Sequence, residues 1–146
     1  MSKKLLSFFH SHHIQIRFND IDQLGHVTNS VYQQYFDLGK MAYFNHVLQE
    51  RMEFQTEGLI VVTLTINFLS SVKLYDDIEV RTKVTRLGNK SLDLLQEIFD
   101  KTSGEPVAEC KSVMVGFKGE TEESIPVPDR WRKKIMDFET DVLFEV

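Results

Sequence analysis

The sequence predicts an α+β protein in which a curled antiparallel sheet of five strands wraps one long helix. Three observations lead there: apolar and aromatic residues at helical spacing between Ser30 and Arg51, four strand-like runs crowded into residues 59–117, and connections between those runs too short for crossover helices. With 146 residues, the chain has the length expected of one domain spanning 1–146. Hydrophobic residues at 42% and charged residues at 27% exclude both a wholly disordered and a membrane-embedded class.

The first strand is expected from His13 to Phe18, where Ile14, Ile16 and Phe18 alternate with His13, Gln15 and Arg17. Residues 19–26 break both periodicities, and Thr28 or Asn29 offers a side-chain oxygen to cap the helix that follows. Along that helix Val31, Tyr32, Tyr35, Phe36, Gly39, Ala42, Tyr43 and Val47 make a wide apolar arc, with Gln33, Gln34, Asp37, Lys40 and Asn45 on a narrower polar side. So apolar a helix is enclosed by other structure, and Gly39 marks a place where another backbone can come close.

Ile60, Val62, Leu64, Ile66 and Phe68 then share one face of a strand, and Ile78, Val80, Thr82 and Val84 alternate with Glu79, Arg81, Lys83 and Thr85 in the next. Gly88-Asn89 and Ser103-Gly104-Glu105-Pro106 are turn signals that set off two further strands, Ser91 to Asp100 and Val107 to Phe117. Pro126-Val127-Pro128-Asp129 introduces a terminal helix over about 129–138, whose run Arg132-Lys133-Lys134 reads as its exposed face.

Several function classes fall away at this level. Seventeen Lys and Arg against twenty-two Asp and Glu give a formal charge of −5, with no basic footprint for nucleic acid. The single cysteine, Cys110, excludes an internal disulfide and a thiol-rich zinc site, which fits a reducing compartment. Lys3-Lys4 and the apolar run Leu5 to Phe9 resemble the start of a signal peptide but stop at His10, and no stretch is long enough to span a bilayer, so a cytoplasmic location is expected. His10, His12 and His13 are metal-binding types without acidic or thiol neighbours in sequence, so no metal site is expected there.

Ionisable and small polar residues concentrate between the first strand and the helix: Asp20, Asp22, His26 and Asn29. A helix N-terminus presents unpaired N–H groups with partial positive charge, suited to an oxyanion, and a carboxylate just upstream is placed to act as base or nucleophile beside it. By spacing alone, the commoner role of such an Asp-x-Asp is to cap turns, with His26 packed on the helix.

The run Arg17-Phe18-Asn19-Asp20-Ile21-Asp22-Gln23-Leu24-Gly25-His26-Val27-Thr28-Asn29-Ser30-Val31-Tyr32, continuing to Tyr35-Phe36-Asp37, resembles the signature of hotdog-fold acyl-CoA thioesterases of the 4-hydroxybenzoyl-CoA thioesterase type. Two later stretches are similar to that family in the same order: Ile66-Asn67-Phe68-Leu69-Ser70-Ser71-Val72-Lys73, continuing to Asp77-Ile78, and Val84 to Leu92 with Gly88 and Ser91. The likeness covers roughly residues 12–118.

The resemblance implies a hotdog fold and hydrolysis of an acyl-CoA or acyl-carrier-protein thioester, without a cofactor. It carries the catalytic carboxylate to Asp22 and the N–H that polarises the thioester carbonyl to Asn29, either with water activated by Asp22 or through a mixed anhydride. His26 and Tyr32 are candidates for substrate positioning, and Arg86 and Lys90, beside the Gly88-Asn89 turn, for the phosphates of coenzyme A. Thr28 and Ser71 depart from the family pattern, where many relatives have Asn and Pro, which bears on pocket shape.

Exposed sheet edges and the family likeness together imply a homodimer or a tetramer of two dimers, with active sites at the seam. Tyr32, Tyr35, Phe36 and Tyr43 with Leu64, Ile66 and Phe68 are candidate walls for an acyl chain of medium or longer length, or else plain core. The rival functions are a non-catalytic acyl-CoA sensor, expected to carry a further domain, and a hotdog dehydratase or hydratase, whose His-Phe-Pro-Gly or Asp-x-Asn-Pro-x-His segments do not occur.

Overall fold

The computed structural model describes residues 7–144. The N-terminal Lys3 to Leu6 run singled out above lies outside these residues. In chain order the elements are β1 (Ser11–Ile14), α1 (Asn29–Leu48), β2 (Gly58–Phe68), β3 (Ile78–Leu87), β4 (Ser91–Asp100), β5 (Glu105–Lys118), β6 (Glu123–Ser124) and α2 (Asp129–Phe138). The sheet runs β1-β3-β4-β5-β2, all antiparallel, with β6 paired to the end of β5. The architecture is the expected one, with six strands in place of five. The extra strand is a two-residue return after Lys118, too short to leave a periodicity in the sequence.

Helix α1 lies in the curve of this sheet and divides the core in two. Val31, Tyr32, Tyr35 and Phe36 pack with Val80, Ile98 and Cys110, while Tyr43, Phe44, Val47 and Leu48 pack with Leu92, Leu94, Met114 and Trp131. Gly39 makes a close approach, but to side chains rather than to another backbone: a Cβ there would overlap Val80 Cγ1 and crowd Gln96 Nε2 at 3.3 Å. Behind the C-terminal end of α1, α2 buries Trp131 and Ile135. Lys134 Nζ donates to Leu48 O at 2.6 Å, satisfying a carbonyl that the helix end leaves open.

Several local expectations give way to tertiary constraints. The first strand stops at Ile14, and Phe18 opens a 3₁₀ turn through Asp20 with its ring 81% exposed. The alternation through Phe18 is thus only partly used: Ile14 is buried, Ile16 packs against the core, and Phe18 faces out. The chain turns there because Asp20 is buried and takes donors from Arg17 behind it. Thr28 occupies the N-cap position of α1 without a side-chain cap bond, and the helix ends three residues before Arg51, with Gln49 in the left-handed region at φ 57°.

In β2, a register shift between Val61 and Thr63 interrupts the expected face, so Leu59 is buried while Val62 is 51% exposed, and Leu64 and Ile66 regain the core.

Two lysines read as polar-face residues are buried. Lys40 on α1 is 5% exposed and Lys83 on β3 is 0% exposed. Lys83 Nζ lies 2.9 Å from Glu139 Oε1 and 2.6 Å from Asp141 Oδ1. Glu139 Oε2 in turn accepts from Tyr43 Oη at 2.7 Å and Val84 N at 3.0 Å, so the segment after α2 is fixed to both α1 and β3. Removing one member of such a network leaves a charge stranded in a dry site. Lys83→Met is therefore expected to lower the unfolding free energy by about 3–5 kcal/mol. Arg130→Ala, which removes a surface pairing with Glu50 and Glu57, is expected to cost about 1 kcal/mol or less. Urea unfolding of the two variants checks the contrast.

Candidate active site

The loop from Arg17 to Thr28 is held by main-chain bonds that pin its two ends together. Asp22 N donates to His26 O at 2.8 Å, Thr28 N to Asp20 O at 2.9 Å, and Val27 N to Val72 O at 2.7 Å. Gly25, at φ +82°, supplies the left-handed residue this tight turn needs. The loop is thereby fixed to the segment after β2, with His26 bridged to Lys73.

The two aspartates do different things. Asp20 is 1% exposed, and its Oδ2 accepts from Tyr35 Oη at 2.6 Å and Arg17 N at 2.9 Å, while Oδ1 accepts from Arg17 Nη2 at 3.1 Å. Burial alone would raise its pKa, but the bonds from Tyr35 and Arg17 outweigh it and hold the carboxyl below its ordinary value. The same burial, with the Asp20 charge beside it, pushes the Tyr35 phenol well up. Asp22 is exposed, and its Oδ1 accepts from Leu24 N at 2.9 Å and His26 N at 3.2 Å. Those bonds orient the carboxylate through one oxygen, and the second oxygen accepts no hydrogen bond among the described residues.

Asp22, His26, Asn29, Tyr32, Thr28 and Ser71 line one open cleft of about 490 Å³, together with Phe68, Leu69 and Ser70. Asn29 is the first residue of α1 and no side chain caps the helix, so its N-terminal N–H groups stand beside the Asp22 loop. Tyr32 is 2% exposed and meets Phe68 edge-on at 5.0 Å; burial pushes its phenol up. Both departures from the family pattern, Thr28 and Ser71, thus fall in the cleft itself.

Other candidates lie elsewhere. Arg86 donates to Ser91 Oγ at 2.8 Å and Asp93 Oδ1 at 3.0 Å in the β3–β4 hairpin, and Lys90 is exposed at its tip. Gly116 N bonds to Lys90 O, and Val127 N to Asn89 O, which sets this hairpin near α2, at the end of α1 away from Asn29. Within one chain Arg86 and Lys90 are therefore not brought to the Asp22 cleft.

Of the seven candidate acyl walls, only Tyr32 and Phe68 line it; Tyr35, Phe36 and Tyr43 fill the core. Among the described residues no three His, Cys, Asp or Glu side chains converge as a metal site, and no helix is long and apolar enough to cross a membrane. Cys110 is buried, with its thiol pushed up to about 11 by that burial. The role of Asp20 as the anchor of the loop was not evident from spacing. Its signal was Arg17 three residues before it, and the partner that settles it, Tyr35, lies fifteen residues on.

A family model described as "Thioesterase-like superfamily" matches residues 16–135. The chain belongs to that superfamily. It is 25% identical over 137 residues to the acyl-acyl carrier protein thioesterase ATL3 of Arabidopsis thaliana, covering 92% of this chain and 72% of that protein. A thioesterase from Thermus thermophilus, solved with coenzyme A and Zn, superposes with a TM-score of 0.82 at 27% identity, over 93% of this chain and 98% of that one. PA2801 of Pseudomonas aeruginosa, described as a putative thioesterase, matches with a TM-score of 0.80 at 29% identity, over 88% and 99%. Thioester hydrolysis is the chemistry that superfamily membership supports.

Because the Asp20 carboxyl lies below its ordinary value when folded, the stability it contributes is fully present above the unfolded carboxylate range near pH 4 and is lost as pH falls through the folded pKa. Thermal unfolding from pH 6 downward is expected to show a steeper loss of Tm in the native protein than in Asp20→Asn, whose amide does not titrate.

Proposed function

We propose that this chain is a hotdog thioesterase of the 4-hydroxybenzoyl-CoA thioesterase type, in which one domain over 1–146 hydrolyses acyl thioesters of coenzyme A or acyl carrier protein. The observation that carries this reading is the meeting of an oriented, exposed carboxylate, Asp22, with an uncapped helix N-terminus in one cleft. The thioester carbonyl oxygen is received by Asn29 N–H as it gains negative charge, and the helix dipole favours that charge. Asp22 either takes a proton from water as the water attacks the carbonyl carbon, or attacks that carbon itself to form an anhydride that water then opens. In both routes the C–S bond breaks, the thiolate leaves, and the acid is released. Thiolate is a good leaving group, so one carboxylate and one oxyanion donor suffice. A cytoplasmic location accords with this substrate class, and no cofactor enters either route.

Asp22→Asn is expected to lower turnover by about a hundredfold or more while Tm stays nearly unchanged. Asp20→Asn is expected to act first on Tm. Release of free thiol from a panel of acyl-CoA esters, set beside thermal unfolding, separates the two. Equal small effects on turnover from both would reduce the loop to a structural turn.

The strand order leaves β2, eleven residues long, as a free edge with Val61 40% and Val62 51% exposed. Such an edge invites pairing with a second copy about a twofold axis, antiparallel, extending the sheet. Val115 pairs with Ile60 on one side and Ser91 on the other, so the β3–β4 hairpin stands near the Gly58 end of β2. The twofold brings the partner subunit's hairpin toward the Phe68 end, where the Asp22 cleft lies. In this arrangement Lys90, and Arg86 behind it, meet the coenzyme A phosphates across the seam. Light scattering at micromolar concentration is expected to report a dimer or tetramer, and Lys90→Glu to raise KM for coenzyme A esters by about tenfold with little change in kcat, an effect that shrinks with added salt.

A further inference from the structure

A second cleft lies on the other side of the Asp20 anchor, and the proposed catalysis makes no use of it. It encloses about 650 Å³ between α1 and the chain from β1 to Arg17, and it shares no lining residue with the Asp22 cleft. On the helix side Leu38 and Met41 line it, 43% and 58% exposed, and Ile14 lines it from β1. From Tyr35 to Met41 the groove follows α1 for about 9 Å. A concave surface that leaves large apolar side chains in water is suited to a hydrocarbon that covers them.

The two ends of the groove differ in charge. At the Tyr35 end stands Arg17, whose side chain is 67% exposed and gives a single N–H, from Nη2, to Asp20 Oδ1 at 3.1 Å. A guanidinium carries five N–H donors in a planar fork, so most of this one remains open to a second carboxylate. The other charged groups do not compete for that place. Asp37 lies farther along the helix, is paired with Lys40 at 3.2 Å, and repels an anion from the middle of the groove. On β1 the imidazoles of His12 and His13 line the groove, with His13 facing Asp77 at 3.6 Å. A cation at one end and exposed hydrocarbon at the other fit an amphiphile with an anionic head.

The residues at the polar end are also those that hold Asp20. Arg17 and Tyr35 both bond its carboxyl, and Asp20 O accepts from Thr28 N at 2.9 Å, which fixes the start of α1 beside Asn29. We infer that this groove is a second site for a free carboxylic acid with an apolar chain, the product class of the proposed reaction, and that filling it slows turnover. The carboxylate accepts from Arg17 while the chain covers Leu38 and Met41. Asp20 then loses part of its hold on the guanidinium, and the loop that presents Asp22 is anchored less firmly. This rests on the thioesterase reading and adds its regulation: the acid lowers the rate from outside the cleft in which it is formed.

The test titrates decanoate into the protein by calorimetry and follows thiol release from an acyl-CoA ester as decanoate is raised. Decanoate is expected to bind and to lower kcat with KM unchanged, while decanol, without the charge, and acetate, without the chain, do neither. Met41→Glu sets a charge against the chain at an exposed position. It is expected to keep the basal kcat and Tm and to weaken decanoate binding by about tenfold. Arg17→Gln is expected to weaken binding by at least as much, with a loss of Tm because it also touches the Asp20 anchor. Decanoate that raises KM at constant kcat, decanol that acts like decanoate, or binding unchanged in Met41→Glu overturns the inference and leaves the thioesterase reading standing. If no ester is hydrolysed, the thioesterase reading fails, and calorimetry still decides the groove. Decanoate binding that weakens in Met41→Glu supports the site; equal binding or none in both proteins overturns it.

Discussion

The contact on which this structure turns is that of α1 with β3 at Gly39. With no Cβ in the way, the helix backbone settles against Val80, and Gln96 Nε2 reaches the carbonyl of Phe36 at 3.0 Å and Thr82 Oγ1 at 3.0 Å. That depth lets one curved sheet bury ten of the helix's twenty residues, while Leu38 and Met41 on the opposite side stay exposed. It also sets the height at which the helix begins. Tyr35, one turn before Gly39, then holds Asp20, and Asp20 holds the loop whose next turn presents Asp22. A helix seated further out would carry Tyr35 away from that carboxylate and leave the Asp22 loop without its anchor.

The two ends of α1 are finished differently. At the C-terminal end, Gln49 turns the chain in the left-handed region, Lys134 satisfies the last carbonyl, and Trp131 Nε1 donates to Glu50 Oε1 at 2.6 Å. At the N-terminal end Thr28 makes no side-chain cap bond, although its hydroxyl is of a type that supplies one, typically worth about 1 kcal/mol. The helix end beside the Asp22 cleft thus forgoes the stabilisation a side-chain cap would supply.

Much of the fold was legible because it rests on local signals. The helix announced itself by three- and four-residue spacing, β4 by its turn boundaries, and the close approach by a glycine within an otherwise bulky arc. What stayed hidden depends on partners far along the chain. Lys83 reads as the polar residue of an alternating strand, and only Glu139, fifty-six residues later, makes it a core group. The bulge in β2 reverses an alternation that the sequence carries unbroken, because it arises from pairing with β5. The same holds for the candidate site. The spacing of Asp20 and Asp22 treats them alike, and the burial of one against Tyr35 tells them apart. Arg86 and Lys90 stand beside a turn that spacing cannot place, and the strand register sets them at the far end of the helix.

A polar layer through the middle of a small core is destabilising unless it is satisfied, and this core could have been apolar throughout at Ser112 and Lys40. Gln96 accounts for part of the layer by fastening the helix carbonyl to the sheet, a structural role that needs only its amide nitrogen. Ser112 Oγ and the unused donors of Lys40 have no such employment among the described residues. Lys40 lines the cleft between α1 and the start of β2, where Val61 is exposed on the sheet edge, so anything that covered that edge would bear directly on the Lys40 ammonium, while Ser112 lies outside that cleft.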